Sequence, residues 1–253
     1  MAIISLSKAP PSLIRNGIRV MLFTAIVLHT SQVFAIVTMI MDTSAKTATF
    51  YENGVEIAKQ EFNDAGVVTK TNGAIPNGIV HSYNENGNII AKWNYANNLP
   101  EGVMTEYYDE GRTKSTCTYV RGKRDGLAQE YFRDGTLKAE RYYAEGELHG
   151  MNKEYYKNGK TKLLFHYQEG QPCGDGIGKT YYDNGALKGK VLYYDGKPHG
   201  NATSYFPNGM IMSVYPYENG ALHGAIKEYN ENGIIATMIT FNKGIVDGPF
   251  KIF

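Results

Sequence analysis

The residues in this chain whose chemistry could be catalytic or metal-binding are a few histidines, glutamates, cysteines and one glycine-rich segment, and most recur in step. His149, His199 and His223 each precede a glycine, and Glu106, Glu130, Glu154 and Glu228 each lie four residues after one. Imidazole suits zinc or general-base chemistry, and paired carboxylates suit acid–base work. The spacing speaks against both uses. If the steps are paired strands, copies of one position lie about 10 Å apart. Metal bonds of about 2 Å cannot span that distance. The glutamates read as a solvated face directed away from the tyrosines, with like charges two strands apart. Gly174-Asp175-Gly176-Ile177-Gly178 is rich enough in glycine to cradle phosphate, but no helix comes after it to offer its N-terminus. Cys117 and Cys173 fall in hairpins too far apart for a bridge and in no metal-ligand spacing. The expectation is therefore no enzyme, no cofactor and no metal.

These residues recur because the chain itself is periodic. Glycines stand at Gly78, Gly102, Gly126, Gly150, Gly176, Gly200, Gly224 and Gly248, every step 24 residues except the 26 that end at Gly176. Five residues after each of the first seven comes a tyrosine: Tyr83, Tyr107, Tyr131, Tyr155, Tyr181, Tyr205 and Tyr229. Nine residues after comes a second glycine: Gly87, Gly111, Gly135, Gly159, Gly185, Gly209 and Gly233, mostly preceded by Asn or Asp. Seventeen after comes an aromatic: Tyr95, Tyr119, Tyr143, Tyr167, Tyr193, Tyr217 and Phe241. A further glycine stands three residues later, replaced by Asn98 in the first unit.

Each unit reads as strand, tight turn, strand and a short glycine-bounded loop. Asn-Gly between β-rich runs is the strongest short-range hairpin signal, since both residues tolerate positive φ. Alternate residues of the second strand form an apolar face, as in Ile89, Ala91, Trp93 and Tyr95, which is the period of a half-buried antiparallel strand. After the N-terminal segment, frequent glycine and the lack of a sustained 3.6-residue pattern make helix a poor alternative. The expected fold is all-β, an elongated single-layer antiparallel meander of stacked hairpins, roughly 70 Å long. The organisation predicted is an irregular first repeat or cap over 36–77, seven repeats over 78–248, and a truncated terminal strand over 249–253.

The first 35 residues differ. Lys8, Arg15 and Arg19 precede the apolar run Val20–Leu28, and a polar stretch leads to Val33-Phe34-Ala35. This is the layout of a secretory signal cleaved after Ala35. The alternative is an uncleaved membrane anchor from Val20 to Met41. A formal net charge of +1 gives no drive toward nucleic acid, and Arg121, Lys123 and Arg124 read as one solvated loop.

The joint Tyr119-Val-Arg-Gly122-Lys-Arg-Asp-Gly126, repeated at Tyr143–Gly150, Tyr193–Gly200 and Tyr217–Gly224, resembles MORN repeats. With the Tyr-Tyr-x-Asn-Gly turn it looks like the bacterial 24-residue variant found in YwqK-family antitoxin-like proteins. That resemblance implies a non-enzymatic scaffold that binds proteins or membranes. The aromatics invite the same idea independently. They serve first as core, because a tyrosine ring can be covered while its hydroxyl stays wet. Trp93, Tyr95, Tyr119, Tyr143, Tyr167, Tyr193 and Tyr217 are also the candidate binding track. The expected partner is a protein. A glycan or the cell wall is the alternative, and a membrane enters only if the N-terminal segment is retained.

Overall fold

In a computed structural model, which describes residues 36–172 and 177–253, the chain is all-β. Expectations for the signal or anchor before Ile36, and for Cys173 and Gly176, lie outside the described residues. Among the described residues, twenty-four strands form one open sheet of stacked hairpins, antiparallel but for a single contact.

That exception builds the start of the sheet. β1 (Val37–Asp42), β2 (Thr47–Glu52), β3 (Val55–Phe62) and β4 (Val68–Gly73) form an antiparallel meander. β1 then lies parallel to β5 (Gly78–Tyr83), the first strand of the repeats, which pairs on its other side with β6 (Ile89–Ala96). The order is therefore β4-β3-β2-β1-β5-β6. The largest apolar core sits here: Val37, Met39, Ala48, Phe50, Ala58, Ile75, Val80 and Tyr95. Gln60 is fully buried among them without loss, because its amide donates to Thr71 and to the Asn98 carbonyl and accepts from the Tyr95 hydroxyl at 3.3 Å. Asn98, the residue that breaks the glycine series, accepts the buried Ile75 N–H at 2.7 Å. Its side chain fastens the N-terminal meander to the first repeat.

The expected tight hairpin turn with a positive-φ glycine is present between the two strands of each repeat, but it is not a two-residue turn. At the Asn-Gly site the loop has three residues: Asn84 N–H donates to the Asn88 carbonyl, Gly87 N–H to the Asn84 carbonyl, and only the glycine has positive φ (79°). This is a type I turn closed by a left-handed glycine. The two-residue turn in which both φ values are positive lies instead at the joint, for example Arg121 (48°) and Gly122 (80°). The expected loop between units is thus a second tight hairpin turn. Beyond this turn the chain runs into a bulge rather than a loop. Pairing jumps from Arg124↔Tyr119 to Ala128↔Cys117, so four residues advance against two, and Gly126 (φ 100°) takes up the difference.

This register fixes the faces. Position two pairs with fifteen and position four with thirteen, as in Met104↔Cys117 and Glu106↔Ser115, so these share one face with the position-seventeen aromatics. Position five lies on the opposite face: the Tyr131 hydroxyl donates to Gln129, and that of Tyr155 to Glu140 at 2.7 Å. The two tyrosine rows are therefore on opposite sides. The glutamates at position four face away from the first row, as expected, but share a face with the second. Corrected too is the basic cluster: Lys123 and Arg124 begin the strand Lys123–Tyr131, and only Arg121 is in a turn.

Candidate functional site

The face carrying position seventeen collects most of the groups able to engage a ligand. Its row runs Tyr95, Tyr119, Tyr143, Tyr167, Tyr193, Tyr217 and Phe241, and its exposure changes along the sheet. Tyr95 (3 % exposed) lies under Phe50 of β2 in an edge-to-face contact with ring centroids 5.2 Å apart. Tyr119 (6 %) is covered by Trp93 at 5.5 Å and packs with Met104 and Cys117. From Tyr143 to Tyr217 the rings are half-buried. Burial pushes the phenols of Tyr95, Tyr119 and Tyr193 and the thiol of Cys117 up from their usual values, which keeps them neutral.

Position fifteen links neighbouring tyrosines. Trp93 reaches Tyr119 of the next repeat, and Phe165 reaches Tyr193 of the next repeat as well as Tyr167 of its own, at 6.0 and 6.2 Å. The Phe165 ring also lies over Gly178, where a Cβ would sit 2.4 Å from it. Beside it opens a cleft of about 220 Å³, walled by Phe165 and Tyr215 and floored by Gly178, Gly189, Val191 and Ala202.

A larger concavity, about 320 Å³, lies nearer the N-terminus between Tyr119 and Tyr143. Charged groups take over there. Arg141 occupies position fifteen and bridges Glu130 (2.6 Å) and Glu154 (3.2 Å), the position-four glutamates of two adjacent repeats. Lys114, Lys138 and Lys162 each approach the glutamate of their own hairpin at 3.3–3.5 Å. Partial burial pushes the Glu130 carboxyl up, but Arg141 and Lys138 outweigh it and hold the group below its usual range. Glu106, Glu130 and Glu154 are thus ion-paired, whereas Glu228 accepts from the Tyr215 and Thr237 hydroxyls. Arg124 stands between the two rings. Its Nε donates to the Tyr119 hydroxyl and its Nη1 to that of Tyr143, both at 3.4 Å, and its guanidinium lies 5.4 Å from the Tyr143 ring centre.

On the other face, the position-five row joins a polar network. Tyr155, Glu140, Gln129 and Tyr131 are linked in series. Position-six tyrosines clamp successive turns: Tyr108, Tyr156 and Tyr182 each donate to the carbonyl of the next repeat's position-five tyrosine at 2.7 Å. Tyr83, Tyr107, Tyr181, Tyr205 and Tyr229 complete that row, and the turn glycines from Gly87 to Gly233 all have φ of 78–92°. The recurring histidines stay in separate surroundings: His199 against Tyr194, and His223 3.6 Å from Glu218. Among the described residues no group of three or more His, Cys, Asp or Glu could hold a metal ion.

Seven tandem segments, residues 76–97, 100–121, 124–145, 148–169, 174–195, 198–219 and 222–243, match the family model described as the MORN repeat variant. The chain belongs to the MORN repeat family. No similar sequence was found among curated proteins. Most of the MORN segments begin at the residue that pairs with the position-seventeen aromatic across the two-residue turn. Membership makes the chain a repeat scaffold of a generally non-enzymatic kind, suited to binding other molecules.

Aligning the MORN repeats brings out a residue that linear reading passes over. The partners of the aromatics across that turn are Pro100, Arg124, Leu148, Pro172, Pro198, Leu222 and Val246. Arg124 is the one charged member of an apolar column. Reading the sequence by column, rather than along the chain, would have found it.

Proposed function

We propose that this chain is an exported, non-enzymatic MORN scaffold that binds another protein along the face carrying Tyr143, Tyr167, Tyr193 and Tyr217. One observation carries the reading. The chain covers the start of this row itself, with Phe50 over Tyr95 and Trp93 over Tyr119, and leaves the equivalent rings from Tyr143 onward only half-buried. A protein surface that supplies apolar side chains there would repeat what β2 does for Tyr95. The antitoxin-like subtype that the repeats resemble would make the partner a toxic protein, held by the array.

Export rests on Lys8, Arg15 and Arg19 before Val20–Leu28 and on Ala35 as the exit. The core supports cleavage over retention. Val37 and Met39 are buried in β1, so a span drawn through Met41 would compete with folding, whereas a cut after Ala35 leaves both free to pack. A second reading, a cell-wall glycan, draws on the cleft between Phe165 and Tyr215, whose aromatic walls and glycine floor suit a flat sugar ring.

Affinity capture from cell-envelope extract tests both. The expected result is a co-purifying protein that is lost from the Tyr167→Ser/Tyr217→Ser variant. Retention of the wild-type chain on cell-wall polysaccharide, with no protein captured, would favour the second reading. N-terminal sequencing of the native protein should start at Ile36, and an intact Met1 in a membrane fraction would overturn export.

A further inference from the structure

We infer that Arg124, held between Tyr119 and Tyr143, is a carboxylate-recognition point, built to take an aspartate or glutamate side chain of the protein partner. The inference deepens the scaffold reading and rests on it. Its first support is the repeat itself. Every other residue in the column is proline, leucine or valine, so the sheet does not require an arginine there. Its second support is valence. Tyr119 and Tyr143 take two of the five guanidinium N–H groups at a long 3.4 Å, and no carboxylate of the described residues pairs with the side chain.

Nearby acids are already committed. Glu106, which shares the concavity, is held by Lys114 and by the Ser115 hydroxyl at 2.9 Å. Glu130 and Glu154 are held by Arg141 and by their own lysines. Along this stretch five cations face three carboxylates, a local positive excess on a chain of formal net charge +1. Charge complementarity therefore selects an acidic occupant over a basic or neutral one. Geometry selects a carboxylate, because a planar fork matches it with two parallel bonds. The two tyrosines fix the guanidinium plane in advance and leave Nη2 uncommitted in a concavity of about 320 Å³, large enough for a side chain and its flanking backbone.

The test uses the whole chain and a terminally blocked hexaglutamate peptide as probe, with titration calorimetry as the readout. Arg124→Leu installs the residue found at Leu148 and Leu222, so the sheet should be undisturbed, and equal melting temperatures will verify this. Arg124→Leu should weaken hexaglutamate binding about tenfold or more. Lys123→Ala, which removes the neighbouring cation paired with Glu145 at 2.8 Å, should change it less than about twofold. Equal losses in the two variants would mean diffuse attraction and overturn the inference, as would no measurable binding to the wild type. Inorganic phosphate that binds more tightly than the peptide, and with the same Arg124 dependence, would overturn the carboxylate assignment in favour of a phosphorylated partner. Capture of the envelope protein separates the two readings. A partner retained equally by Arg124→Leu sinks the carboxylate point and spares the scaffold. Arg124-dependent peptide binding with no captured protein does the reverse.

Discussion

Adding one methyl group to Gly178 should disrupt the contact between two repeats, and a second substitution should restore it. The Cβ of Gly178→Ala would lie 2.4 Å from Cε1 and 2.6 Å from Cζ of Phe165. Carbon atoms rest about 3.5–4.0 Å apart, so the ring must retreat by at least about 1 Å. It is flanked by Tyr167 and Tyr193, so retreat loosens both contacts. Overpacking of this kind costs about 1–3 kcal/mol. Gly178 lies outside the left-handed region, so the backbone accepts alanine and gains about 0.5–1 kcal/mol from the change. The net expectation is a loss of about 1–2 kcal/mol. For a chain of this size that lowers the melting temperature by about 2–4 °C per kcal/mol. Phe165→Val removes the obstacle, and Phe165→Val with Gly178→Ala recreates the Val191 and Ala202 combination that the next pair of repeats already tolerates. In the Phe165→Val background Gly178→Ala should be neutral or slightly stabilising. Melting curves of the four proteins by circular dichroism give the cycle. An equal cost of Gly178→Ala in both backgrounds would refute the packing account.

Other sites give sharper local tests. Gly159 has φ of 80° and open space around its Cβ position, so Gly159→Val should cost about 1–2 kcal/mol through the backbone alone, while the exposed Lys157→Ala nearby should change thermal stability little. Asn98→Gly keeps the turn but strands the buried Ile75 N–H, so thermal melts should show a loss of about 1–3 kcal/mol. Burial, then Glu140, raises the Tyr155 phenol from 10.0 to about 12. The folded state therefore holds that proton more tightly than the unfolded one, and the resulting stability is full below about pH 10 and lost as pH rises toward about 12. Tyr155→Phe should make the decline in melting temperature over that window shallower, and phenolate absorbance should show one fewer late-titrating tyrosine. Deleting residues 127–150 joins Gly126 to Met151 in register and offers Tyr108 the carbonyl of Tyr155 in place of that of Tyr131, so circular dichroism should show an intact β fold; deleting 127–138 should unfold it.

The hairpins were legible because their requirements are local. A left-handed residue after an Asn, and an aromatic at fixed distance on each side, mark a strand pair in any single unit. The division of labour between the two turns was not legible. Arg121, Glu145, Glu169 and Lys243 have no strong preference for positive φ, yet each adopts 48–51° because the flanking strands demand a two-residue turn ahead of glycine. Faces obeyed the same logic: position five is opposite to position four by simple alternation, but a bulge in the second strand pairs position eleven with position five. Ile89 therefore lies across from Tyr83 rather than continuing the face of Ala91, Trp93 and Tyr95, and bulges leave no trace in alternation. The parallel docking of β1 on β5 joins segments more than forty residues apart, with no local pattern to announce it. The glutamates were placed correctly against the first tyrosine row, but their pairing with Arg141 depends on adjacent repeats that only the folded sheet aligns.

A repeat protein supplies its own comparison set, since each column of the array records what the fold requires at that point. Departures from a column then sort by whether the sheet itself accounts for them. Asn98 departs from glycine and uses its side chain on Ile75. Gly178 departs from larger residues and makes room for Phe165. Arg141 departs from apolar neighbours and is consumed by Glu130 and Glu154. In each case the extra chemistry is matched inside the sheet. Arg124 is different: it replaces an apolar residue, is oriented by two tyrosines, and still has donors left over. An unmatched cation fixed in a concavity costs conformational freedom and brings the fold no ion pair in return. Arg124 is exposed, so water meets its spare donors in the free chain, and on the proposed reading a partner carboxylate takes the place of that water. That makes this column departure, rather than the tyrosine rows that every unit shares, the place where the proposed binding face is to be probed first.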